Sequence, residues 1–161
     1  MAMAGALGVL GVVLWDVTRE RVTGVGDMAP DFSVKADNGM TLTRADFGGK
    51  VLVLNFWATW CQPCIRETPE LEALHRKMRD QGVVVLGVSI DQKEEKYKAF
   101  LKRFSVSFLT LRDASKSLSD SFGTYRIPET YVIDKEGKVR QKIIGAEWKE
   151  DDMIRAVKAL L

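Results

Sequence analysis

A chain of 161 residues, 46% hydrophobic and 29% charged, has apolar side chain enough for one domain with a full core and is short for two. Its formal net charge of +2, from 24 basic and 22 acidic residues dispersed along the chain, gives no argument for nucleic acid as a partner. Two cysteines and a single histidine, His75, cannot supply the ligand set of a structural zinc site.

Residues Ala2 to Trp15 are nearly all apolar or small, and Asp16, Arg19, Glu20 and Arg21 then turn the chain polar. As a helix that stretch reaches about 21 Å, against a hydrocarbon core of about 30 Å, so it does not span alone. No Lys or Arg precedes Ala2, as a secretory signal requires, and no small-x-small cleavage site stands out. Two readings remain: a short apolar helix, or the distal part of a signal anchor whose basic start is missing, with Trp15 at the membrane–water boundary. The expected division is an anchor remnant over 1–15, a linker over 16–26 and one domain over 27–161.

Asp31 to Lys35 alternates, and Asp37-Asn38-Gly39 supplies hairpin turn chemistry before Met40-Thr41-Leu42. After Gly48-Gly49-Lys50, the run Val51-Leu52-Val53-Leu54 suits a central strand buried on both faces. A helix is predicted from about Pro63 to Arg79, with Leu71, Leu74 and Met78 at core spacing. Pro63 fits its first turn, where the missing N–H has no helical partner, and Pro69 should kink it. Val83 to Ile90 reads as a second buried strand. Tyr97, Phe100, Leu101 and Phe104 form a helical core stripe, and Lys93 to Lys96 a solvated face. A third strand is expected over Ser107 to Leu111 and a short helix near Ser115 to Phe122. Tyr131 to Asp134 and Val139 to Ile144 pair around Lys135-Glu136-Gly137, and Met153, Ile154, Val157, Leu160 and Leu161 bury the last helix. Strands alternating with helices predict an α/β fold, a mixed sheet covered on both sides.

The chemistry sits in Trp60-Cys61-Gln62-Pro63-Cys64, between the first long strand and the first helix. A helix that begins between the two cysteines brings both sulfurs onto one face, within bridging distance. The first sulfur lies at the positive end of the helix dipole, which favours thiolate, the species that attacks disulfides. The bridge closes only a tiny ring and adds little to stability, so its use is redox chemistry.

Three motifs together resemble the thioredoxin superfamily, and more narrowly its TlpA/ResA/CcmG group of membrane-tethered extracytoplasmic thiol–disulfide oxidoreductases. They are Ala29-Pro30-Asp31-Phe32, the stretch Asn55 to Cys64, and Ile127-Pro128-Glu129-Thr130-Tyr131-Val132-Ile133-Asp134. The resemblance covers about Gly26 to Leu161 and implies a thioredoxin fold with an N-terminal β-hairpin and an inserted strand–helix unit between Gly82 and Leu111. It implies a cis Ile127-Pro128 peptide beside the cysteines, in a loop that shapes the substrate groove. Cys61 is the expected nucleophile and Cys64 the resolving thiol of a redox-active disulfide. Glu67, one turn beyond Cys64 and matched by a glutamate in ResA-like proteins, is the expected base. Classical thioredoxins carry a buried aspartate where this chain has Asn55, which takes no proton and shifts that duty to Glu67. Substrate contacts are expected at Trp60, Gln62, Pro63, Ile127 and Pro128. Trp57 reads as core, and Glu129 as either a partner contact or an ordinary exposed charge.

The resemblance implies a protein disulfide reductase, without cofactor or bound metal, working on the periplasmic side of the inner membrane as a monomer. Its partners would be disulfide-containing proteins, apocytochrome c among them, and a membrane thiol–disulfide electron donor. Two other readings compete. Peroxiredoxins share the fold but need the order Pro-x-x-x-Thr-x-x-Cys, and the matching positions before Cys61 are Leu54 and Ala58. A non-catalytic module could hold Cu(I) on its two thiols.

Overall fold

Residues 22–161 are described by a computed structural model. The apolar segment over 1–15 and the first part of the 16–26 linker lie outside the described residues. At the described end of that linker, the Thr23 N–H donates to Phe122 O at 3.0 Å and the Gly26 N–H to Val139 O at 2.9 Å. Strands β1 (Ser33–Lys35) and β2 (Thr41–Thr43) form the antiparallel N-terminal hairpin.

A five-stranded sheet follows, built from β3 (Val51–Trp57), β4 (Val83–Ser89), β5 (Leu109–Arg112), β6 (Glu129–Ile133) and β7 (Val139–Ile144) in the order β5-β4-β3-β6-β7. β3, β4 and β5 are mutually parallel, β6 pairs antiparallel with β3, and β7 pairs antiparallel with β6 and so runs in the direction of β3. The helices are α1 (Gln62–Met78), α2 (Glu94–Arg103), α3 (Ser117–Ser121) and α4 (Glu150–Lys158). This is the mixed α/β sheet that the sequence predicts, with β3 at its centre and buried at every position.

Alternation along β3 sorts the two halves of the core. Val51 and Val53 pack in one cluster with Leu71, Leu74 and Met78 of α1 and Met153 and Val157 of α4. Leu52, Leu54 and Phe56 pack in another with Leu42 of the hairpin, Phe47, and Leu118 and Phe122 at α3. Each such side chain stabilises the fold by roughly 1.5–3 kcal/mol. Trp57, at the end of β3, stacks against Tyr97 and Phe100 of α2, with ring centroids 5.8 and 4.7 Å away.

α1 runs unbroken past Pro69. β5 starts two residues later than the sequence suggests. The Ser107 N–H and hydroxyl are both taken by the Glu72 carboxylate, at 2.8 and 2.5 Å, so Ser107 does not enter the ladder. β6 starts earlier, immediately after Pro128.

Candidate active site at the start of helix α1

The chain leaves β3 at Trp57 and turns through Ala58 to Trp60, where the Cys61 N–H donates to Ala58 O at 3.2 Å. Cys61 caps α1: its backbone is extended and its Sγ accepts the Cys64 N–H at 3.3 Å. Pro63 lies in the first turn, where its missing N–H costs nothing. Cys61 and Cys64 are joined as a disulfide, with Cα atoms 5.2 Å apart. Once the bridge is reduced, the helix dipole and the Cys64 N–H both favour a thiolate at Cys61.

Both cysteines are buried, Cys61 at 6% exposure and Cys64 at 1%. Cys61 is thus more enclosed than a helix-end position suggests, because it shares a cluster with Trp57, Tyr97 and Phe100. Trp60 instead stands out at 66% exposure, and Gln62 beside it is exposed.

Glu67 points inward and is only 2% exposed. Its Oε1 accepts from Asn55 Nδ2 at 2.5 Å and its Oε2 from Trp148 Nε1 at 3.1 Å. Asn55 also donates to Thr130 Oγ1 at 2.9 Å, which ties the carboxyl to the central strands. Burial pushes the Glu67 carboxyl up to about 7, while the bonds from Asn55 and Trp148 pull the other way. A buried carboxyl that changes charge near neutrality, one turn from a buried thiol, can take up that thiol's proton.

The Ile127–Pro128 peptide is cis, and Ile127 packs against the cluster that holds both cysteines. The Pro128 carbonyl accepts the Gly145 N–H at 2.8 Å. Glu129 corrects both sequence readings, because it is fully buried rather than exposed or open to partners. It lies opposite Phe56 in the sheet, where its carboxylate pairs with Lys142 Nζ at 2.9 Å and accepts the Tyr131 hydroxyl.

Two further residues support the site without being anticipated. Asp91, buried at the end of β4, accepts the Thr59 N–H at 2.9 Å and the Thr59 hydroxyl at 2.7 Å. Ser89 Oγ donates to the same carboxylate at 2.7 Å, so the turn leading into Cys61 is latched to the neighbouring strand. An acidic residue just past the carboxyl end of a parallel strand is the available sequence signal. The other is Trp148, whose signal is a lone aromatic among charges in Glu147-Trp148-Lys149-Glu150. Among the described residues, no group of His, Cys, Asp and Glu is arranged to hold a metal ion.

A thioredoxin-type sheet carrying a Cys-x-x-Cys disulfide at the start of its first long helix, beside a cis proline, defines a thiol–disulfide oxidoreductase. The chain belongs to the AhpC/TSA family, whose profile matches residues 25–142, and within it to the ResA-like thiol–disulfide oxidoreductases. It is 34% identical over 145 residues to the thiol-disulfide oxidoreductase ResA of Bacillus thuringiensis subsp. konkukian, covering 89% of this chain and 84% of that one. It is 36% identical over 134 residues to ResA of Geobacillus thermodenitrificans, covering 83% and 77%. Among solved structures, one named for a thiol:disulfide interchange protein of the DsbE kind from Chlorobium tepidum superposes with a TM-score of 0.78 at 28% identity, covering 86% of this chain and 98% of that one.

Proposed function

We propose that the chain reduces disulfides in extracytoplasmic proteins by dithiol exchange, with Cys61 attacking, Cys64 resolving and Glu67 moving the proton. The observation that carries this reading is the Cys61 sulfur at the cap of α1, accepting the Cys64 N–H at 3.3 Å. In the reduced protein the Cys61 thiolate attacks one sulfur of the substrate disulfide, and the other substrate sulfur leaves as a thiolate and is protonated. The mixed disulfide is then broken by Cys64, which gives its proton to the Glu67 carboxylate and attacks the Cys61 sulfur. The second substrate thiolate leaves, two electrons have passed to the substrate, and the protein holds the Cys61–Cys64 bridge. A membrane thiol–disulfide donor restores the dithiol.

Trp60, Gln62 and Pro63 on one side and Ile127 and Pro128 on the other form the substrate groove in this reading. The exposed Trp60 ring offers an apolar rest for a partner, and the cis bond supports a peptide-binding role for the Ile127 backbone. The group to which the chain belongs supports apocytochrome c as a substrate, its haem-attachment cysteines being kept reduced before haem is joined. The same membership supports a periplasmic location, with residues 1–15 as the tether, 16–26 as the linker and 27–161 as the catalytic domain. Among the described residues no helix is long and apolar enough to cross a membrane, so the tether reading rests on residues 1–15 alone. A peroxidase reading gains nothing: Leu54 and Ala58 are buried and bring no hydroxyl to Cys61.

The test is Cys64→Ser expressed in the native host. A disulfide-linked adduct on Cys61 with an extracytoplasmic cysteine protein is the expected result. No adduct with any protein, or adducts only with cytoplasmic ones, would contradict the reading.

A further inference from the structure

We propose that Trp148 is a positioning residue for the exchange reaction, its indole N–H holding the Glu67 carboxyl from a connector that also braces the cis-proline loop. The proposal rests on the reading of Glu67 as the base. Each carboxyl oxygen of Glu67 has its own fixed donor: Asn55 Nδ2 on Oε1 at 2.5 Å and Trp148 Nε1 on Oε2 at 3.1 Å. Asn55 belongs to the central strand, whereas Trp148 arrives from the far end of the chain, 81 residues away from Glu67. The indole is locked in place, 8% exposed and packed in the cluster of Val51, Leu71, Val132 and Met153.

The connector between β7 and α4 is itself fastened at both ends. Its first residue, Gly145, donates its N–H to Pro128 O at 2.8 Å. At the other end the Glu150 N–H donates to Glu70 Oε2 at 3.0 Å, and Lys77 Nζ pairs with the Glu150 carboxylate at 2.7 Å. One short segment therefore touches the substrate loop, the body of α1 and the carboxyl that receives the proton. A tryptophan serving only to fill the core has no need to aim its one polar atom at a buried carboxyl.

The electrostatics agree. Around Glu67, β3 contributes Asn55, β6 contributes Thr130 and the connector contributes Trp148, all of them neutral. On α1, Glu70 is turned to the Glu150 N–H and Arg66 is exposed. With no cation in ion-pair range among the described residues, two neutral donors are what favour the ionised carboxyl over the acid. Losing one of them makes Glu67 a weaker acid and moves its proton acceptance to higher pH.

The experiment compares the parent protein with Trp148→Phe and Glu67→Gln. In the oxidised, carbon-13-labelled protein, the Glu67 carboxyl of Trp148→Phe should titrate as a roughly tenfold weaker acid than in the parent. The pH–rate profile for reduction of a peptide disulfide by the reduced protein should move alkaline by the same factor. In the parent itself the Trp148 Nε1–H resonance should follow the Glu67 titration, a measurement independent of how well the variant folds. An unmoved carboxyl in Trp148→Phe, or a parent indole resonance indifferent to that titration, overturns the proposal. A moved carboxyl with an unmoved rate profile also removes the positioning role, and Glu67→Gln then separates the causes. An unmoved profile in that variant places the failure in the reading of Glu67, and a changed one places it in Trp148.

Discussion

Glu67 is neutral at low pH, and its burial makes ionisation within the fold costly. Its folded value of about 7 lies above the ordinary 4.5, so the folded chain holds this proton more tightly than the unfolded one. The resulting stability is fully present below the unfolded value and is lost as pH rises through the folded one, by at most about 3 kcal/mol. Glu67→Gln should remove that slope: the difference in unfolding free energy between parent and variant narrows or reverses between about pH 4.5 and about pH 8. The same substitution should lower the resolution rate near neutrality by roughly a hundredfold and flatten its rise with pH. A parent and variant with parallel pH profiles would contradict the assignment. At this scale the sequence is most legible where chemistry is local. The two cysteines and Glu67 lie on successive turns of one helix, and spacing alone places them together. The burial of Glu129 is not legible in the sequence, because it depends on Lys142 and Phe56, which only strand register brings to it. Trp148 and Asp91 carry only weak signals for the same reason, their partners lying 81 and 32 residues away.

Elements were legible wherever composition and pattern agree. The apolar runs of β3 and β4, the turn at Asp37-Asn38-Gly39 and the stripe of α1 all stand close to where the sequence puts them. Boundaries moved where a side chain took over a backbone group, as Glu72 does at Ser107. The turn between β3 and α1 depends on such a capture, because Asp91 holds both the N–H and the hydroxyl of Thr59. Asp91→Ala should leave those groups unsatisfied in a part-buried setting and destabilise the fold by about 1–3 kcal/mol in denaturant unfolding. Amide hydrogen exchange at Thr59 should speed up in the same variant. Exchange at Thr59 as slow as in the parent would show that the latch does not hold the turn.

The whole molecule places its redox pair where parallel strands β3 and β4 end, with helices on one face and the hairpin and α3 on the other. Strand order is the feature that local pattern could not supply. The glycine turn at Lys135-Glu136-Gly137 puts β6 beside β7, but nothing in the apolar run of β6 says that its other neighbour is β3. That order matters chemically, because it sets the cis-proline loop at the start of β6 beside the strand that leads into Cys61. The proposed exchange divides its labour between two sulfurs only three residues apart in sequence. It is tested most directly by treating the freshly reduced protein with less than one equivalent of an alkylating agent and mapping the product by mass spectrometry. Alkylation is expected at Cys61 alone, persisting well below the ordinary thiol range of about pH 8.5, with Cys64 unmodified. Preferential modification of Cys64, or equal labelling of the two, would contradict it.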